Sequence, residues 1–167
     1  MELRVLSESR LQLRCPMFMP QLLIKQFLRS REQWILQGLE RVENAPPPLD
    51  EKQIEKLRSL ARADLSERAR RLSDTMGLSY GRIAIRCQKS RWGSCSAKGN
   101  LNFNCLLMLC PEQVREYVVL HELCHLREMN HSPRFWAEVE RYMPDYATWR
   151  LWLKRNGRSI MARLGQR

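Results

Sequence analysis

The residues of this chain best suited to chemistry are His121, Glu122, His125 and His131. The chain has three histidines, and all of them fall between positions 121 and 131. Residues four apart on an α-helix share a face, about 40° out of line at roughly 100° per residue. His121 and His125 can therefore aim two imidazoles at one point. A glutamate directly after the first completes His-Glu-x-x-His, a spacing that holds a zinc ion and sets a carboxylate beside an activated water. Catalytic zinc takes three protein ligands and keeps one position open. His131 is the favoured third ligand, as the remaining histidine, and Glu138 and Glu140 are its rivals. Zinc draws the pKa of a water down to about 7. Glu122 is then the general base that takes the proton and returns it to the leaving group.

The whole spacing, H-E-x-x-H-x-x-x-x-x-H, also matches the ligand spacing of the metzincins. Those proteins carry Gly where this chain has Glu128, so the tight turn that glycine allows is not implied. Cys124 points well off the His121/His125 stripe and reads as a packed, inert thiol. A hydrolase of this kind needs a group to stabilise an oxyanion, and Arg91, Tyr142 and Tyr146 are the candidates. Trp92, Trp136, Trp149 and Trp152 read as core.

These side chains need elements to hold them. Pro111 opens a helix at a position where its missing N–H does no harm, and Glu112 suits the positive end of its dipole. Val114, Val118, His121 and His125 share one stripe, with Val119, Leu123 and Leu126 opposite. A helix apolar on so much of its circumference is buried between layers. Asn130 is a plausible helix stop. Ser132-Pro133 starts a new helix, so His131 falls in the corner between the two and can swing back beneath the pair. Pro144 begins a last helix, which Gly157 closes. Upstream, residues 81–109 change to a period of two: Arg82–Arg86, Ser90–Ser96 with a possible bulge at Gly93, a turn at Ala97–Asn100, then alternation from Leu101 to Leu109. This predicts a small antiparallel sheet. Asp50 with Gln53 makes a capping box for a helix over about 51–76 that ends at Gly77. Before the break at Asn44–Pro48, residues 2–14 read as two strands about a Ser7–Ser9 turn, and 20–43 as one helix. The domain reading is a hairpin-and-helix appendage over 1–48, a catalytic domain over 49–157, and a basic tail over 158–167.

Hydrophobic residues at 44% with 28% charged ones mark a globular chain. The net charge of +11 favours acidic partners, so a weak nucleic-acid contact through the basic surface is an expectation. Basic residues are spread along the chain, and no aromatic-basic stacking platform accompanies them. The six cysteines form no C-x-x-C pair, which argues against a thiolate zinc knuckle. The N-terminus has no charged region followed by an apolar core, and no run is long enough to span a bilayer. A cytoplasmic protein with reduced thiols and no membrane contact is the simplest account.

Several segments together resemble one family. They are Lys89-Ser90-Arg91-Trp92-Gly93-Ser94-Cys95-Ser96, Lys98-Gly99-Asn100-Leu101, the His121–Leu126 segment, and Asn130-His131-Ser132 with Phe135-Trp136. They look like the YgjP-like metallopeptidases, minimal zincins related to the SprT-like and minigluzincin proteins. The resemblance covers about residues 50–157. Before that, family members usually carry a longer β-rich extension, of which only a final hairpin and helix stand here. The resemblance implies an α+β, zincin-like fold with a small antiparallel sheet packed on a central HExxH helix. It implies one Zn2+ per chain on His121, His125 and His131, with Glu122 as catalytic base. It also implies that the strand region Arg91–Ser96 flanks the active-site helix, where an extended peptide can add as a strand. Arg91, Trp92, Ser94, Asn104, Tyr142 and Tyr146 are the candidate substrate contacts.

The leading expectation is thus a zinc metallopeptidase acting on a peptide or protein through a Glu-activated water. Two others stand beside it. One is a zinc hydrolase of a phosphorylated small molecule such as a nucleotide, tested by metal-dependent phosphate release. The other is a nucleic-acid-associated SprT-like protease, tested by salt-dependent DNA binding.

Overall fold

Alternating apolar residues pair the first two strands. In the computed structural model, which describes residues 1–7, 10–44 and 46–165, the chain divides into two units, Met1–Pro47 and Pro48–Arg167. In the first unit, β1 (Glu2–Ser7) runs antiparallel to β2 (Arg10–Arg14), with Leu3 opposite Leu13 and Val5 opposite Leu11. Residues 8 and 9 of the expected turn lie outside the described residues. The single helix expected over 20–43 is two helices, α1 (Gln21–Ser30) and α2 (Glu32–Glu43). They separate at Arg31, which leaves helical geometry at φ −114°, ψ 11° and donates its N–H to the carbonyl of Leu28, three residues back. Apolar periodicity runs through such a step and does not register it.

The second unit begins with the capping box. Asp50 accepts the N–H of Gln53 at 2.7 Å, and the Gln53 side chain accepts the N–H of Asp50 at 3.0 Å. This starts α3 (Glu51–Met76), which Gly77 ends in the left-handed region at φ 63°. Leu57, Ala61, Leu65, Ala69, Leu72 and Met76 form its buried stripe, while Leu60 stays half exposed.

Three strands follow: β3 (Ile83–Arg86), β4 (Gly93–Cys95) and β5 (Leu101–Asn104), in the spatial order β3-β5-β4. β4 and β5 form the expected antiparallel hairpin, but β3 runs parallel to β5, with Ile83 opposite Leu101 and Ile85 opposite Phe103. The sheet is therefore mixed rather than antiparallel. The turn at Ala97–Gly99 specifies one hairpin locally; which strand receives β3 is a long-range choice that no local residue encodes. The strand expected to reach Leu109 stops at Asn104, and Cys105–Leu109 winds into a 3-10 turn capped by that asparagine. The alternation past 104 reflects burial of Cys105, Leu106 and Leu107 from every side.

Next come α4 (Glu112–Cys124), α5 (Pro133–Tyr142) and α6 (Tyr146–Ala162). α4 is the central element, in contact with α3, α5, α6, β4 and β5. Val114, Val118, Val119, Leu120 and Leu123 on it are all buried. Ser132 caps α5 through the N–H of Phe135, with Pro133 at the first position. Gly157 does not close the last helix. α6 passes through it for another turn and more, Leu49 donates its N–H to Arg163 at 2.7 Å, and Leu164 packs on the core. The first half of the segment read as a basic tail, residues 158–162, is thus helix. Among the described residues no helix is long and apolar enough to cross a membrane.

Candidate metal centre

α4 delivers His121 and Glu122 from its last turn, and His125 forms its C-terminal cap. The chain turns after His125, and His131 lies just before the Ser132 cap of α5. One nitrogen from each of the three imidazoles lies within 4.8 Å of the others. Nε2 of His131 stands 3.0 Å from Nε2 of His121. Phe135, fully buried at the start of α5, forms the floor: its ring centroid is 4.8, 4.5 and 4.8 Å from those of His121, His125 and His131. Trp136 stacks on His131 at 5.6 Å and 23°.

The donor set fits a divalent cation of the kind imidazole binds. Burial and the two neighbouring imidazoles, with Arg150 behind them, push His121 down to about 3, so it stays neutral with a lone pair to offer. Burial, His125 and Arg150 likewise hold His131 below its ordinary value. Nδ1 of His125 lies 3.0 Å from the carbonyl of Glu128. Donation there places the ring proton on Nδ1 and frees Nε2, the backing that metal-binding histidines use. Nδ1 of His121 is buried with no hydrogen-bond partner, an orphaned polar atom beside the cluster.

Glu122 is buried, 6% exposed, and burial pushes its carboxyl up to about 8 against the opposing effect of the Cys95 N–H. The reason for Gly93 is here. A Cβ at that position would lie 2.6 Å from Oε1 of Glu122 and 2.7 Å from its Cγ. Gly93 is not a bulge; it is the bare patch of β4 against which the glutamate packs. Gly157 does the same for Trp92, whose indole lies 3.1 Å from where a Cβ would be. Trp92 is therefore packing between β4 and α6.

Other expected site residues are dispersed. Asn104, 2% exposed, donates to the carbonyls of Gln88 at 2.6 Å and Arg91 at 2.8 Å and accepts the N–H of Leu106 at 3.1 Å. Its hydrogen bonds hold the loop before β4 and the start of the 3-10 turn. Ser94 on β4 accepts from Asn102 at 3.2 Å. The Arg91 side chain is exposed. Tyr142 hydrogen-bonds Arg127, and Arg141 lies over its ring at 5.5 Å. Tyr146 stacks on Trp136 at 5.5 Å and 17°, one ring removed from His131. Of the two rival acids, Glu138 pairs with Arg127, and Glu140 is exposed. Sequence reasoning did not reach the Glu128 carbonyl or the Cys95 N–H, since a backbone group has no sequence signature. Phe135 and Trp136 carried a signal, their spacing from His131.

A helix carrying His-Glu-x-x-His, packed on a small sheet with a third histidine returning from the next corner, is the architecture of a zincin-like metallopeptidase. The profile of the YgjP-like metallopeptidase domain matches residues 47–156, and the chain belongs to that family. Among solved structures, the chain is similar to the metallopeptidase zymogen of Pyrococcus abyssi abylysin, at 25% identity and a TM-score of 0.50, over 56% of this chain and 96% of that one. The metallopeptidase zymogen of Methanocaldococcus jannaschii jannalysin follows at 20% identity and a TM-score of 0.49, over 55% and 94%. No protein with a curated description matches the chain.

Proposed function

We propose that this metallopeptidase is zinc-dependent, with one ion held by His121, His125 and His131 and with Glu122 as its general base. The observation that carries the reading is the convergence of three imidazole nitrogens within 4.8 Å beside a buried carboxyl on the same helix. Zinc bound there supplies Lewis acidity and brings the pKa of a water near neutrality. Glu122, held between Gly93 and the Cys95 N–H, takes the proton and returns it to the leaving amine. β4 is an edge strand beside α4. An extended peptide adding to that edge runs past Glu122, so the substrate is a peptide or protein chain. Six free thiols support a cytoplasmic setting. The +11 charge supports no more than weak, salt-screened contact with nucleic acid.

Metal analysis with peptide-cleavage assays tests the reading. The protein is expected to hold near one zinc per chain, and Glu122→Gln to keep the metal while cleavage falls by at least about 100-fold. Undiminished cleavage in that variant would remove Glu122 from its role. Phosphate release from nucleotides without peptide cleavage would replace the peptidase reading with the nucleotide one.

A further inference from the structure

Arg150 is a charged side chain near the histidines that the peptidase reading does not use. Arg150 is exposed, whereas the half-buried Arg68 pairs with Asp64, Glu112 and Glu116, and the half-buried Arg115 with Asp64. Among the described residues no carboxylate pairs with Arg150. Its guanidinium instead lies 4.2 Å from the ring centre of Trp136. That indole stacks on His131 at 5.6 Å and lies 5.9 Å from His121. The charge of Arg150 is felt at both histidines.

A guanidinium beside three imidazoles able to collect a divalent cation sets like charges together, and among the described residues no acid pairs with the guanidinium. The ring of Trp136 orients it by cation–π contact, and Tyr146, one turn earlier on α6, stacks on the same indole. An anion arriving from outside relieves the repulsion. A planar fork of N–H donors matches a carboxylate with two parallel hydrogen bonds.

We infer that Arg150 is a specificity-determining residue that binds a carboxylate of the peptide close to the scissile bond, an inference that rests on the peptidase reading. The carboxylate is either an acidic side chain or the free end of the substrate. Three peptides of one core sequence separate these sources: a free C-terminal acid just beyond the bond, its carboxamide, and the carboxamide with Asp at that residue. Wild-type protein is expected to favour one or both carboxylate peptides over the plain amide by about 10–100-fold in kcat/KM, chiefly through KM. Arg150→Gln collapses that ratio toward one, and Arg150→Lys restores part of it. Preference for the free acid alone assigns the terminus; preference for Asp alone assigns the side chain. Absence of any preference in the wild type, or an equal loss on all three peptides in Arg150→Gln, overturns the inference. Calorimetric binding of the same peptides to zinc-loaded Glu122→Gln protein, with and without Arg150→Gln, reads the selectivity without turnover. Failure of cleavage alone refutes the peptidase reading, whereas equal binding of acid and amide refutes the role of Arg150.

Discussion

At the scale of single residues, the site depends on what is missing as much as on what is present. Glu122 can lie against β4 only because position 93 has no side chain. Gly93→Ala puts a methyl carbon 2.6 Å from Oε1 of a carboxyl that is 6% exposed and has little room to retreat. If Glu122 is the base proposed above, displacing it by an ångström costs about 100-fold in rate. Gly93→Ala is therefore expected to lose about that factor in kcat while its zinc content, read by metal analysis, stays with wild type. Equal loss of metal and activity would show that the strand, not the carboxyl, had moved. The pair His121 and Glu122 was legible in the sequence because helical spacing is a local property. The Gly93 contact was not: a lone glycine in a strand reads as a bulge, and what it faces is set by an element almost thirty residues away.

At the scale of elements, buried polar groups tie the strands and helices together. Asn104 satisfies two loop carbonyls and the start of the 3-10 turn. Truncating it removes the side-chain partner of two part-buried carbonyls and one buried N–H, and Asn104→Ala is expected to cost about 2–3 kcal/mol in chemical denaturation. Selectivity among peptides should be unchanged in whatever fraction stays folded; a substrate contact would shift it instead. α3 and α4 are joined through Arg68, 13% exposed, which reaches Asp64 on its own helix and Glu112 and Glu116 on the other. Burial raises the pKa of Asp64, but hydrogen bonds and charge from Arg68 and Arg115 outweigh it and hold the carboxyl below 3.8. A depressed carboxylate contributes stability that is present above its unfolded pKa and is lost as pH falls through its native one. Asp64→Asn should thus destabilise by about 1–2 kcal/mol at neutral pH. The gap from wild type should close below pH 3.8. A gap independent of pH would mean that the aspartate acts by packing alone.

At the scale of the whole molecule, the proposed metal binding would be linked to stability, since His121 and His125 at the end of α4 and His131 in the following corner meet only in the folded chain. Zinc at 100 times its dissociation constant adds about 2.7 kcal/mol. For a chain of this size that raises Tm by roughly 5–10 °C. Calorimetry is expected to show that rise, and chelator to reverse it. His131→Ala should abolish most of the shift while leaving the metal-free Tm near wild type, because His131 is exposed and little of the core rests on it.

What is local was legible in the residues alone: the histidine pair and its glutamate, the capping box of α3, the Ser132–Pro133 start of α5, and the β4–β5 turn. Each depends on residues a few positions apart, where helix and turn geometry leave little choice. Long-range packing set the parallel seat of β3, the end of β5 at Asn104, the break at Arg31 and the passage of α6 through Gly157. It also decided that Asn104 serves the scaffold, that Gly93 makes space for Glu122, and that Arg150 stands over Trp136 without an acid. Those outcomes turn on which distant surfaces meet, and a packed interior can override any local preference when the partner across the core has the complementary shape or charge.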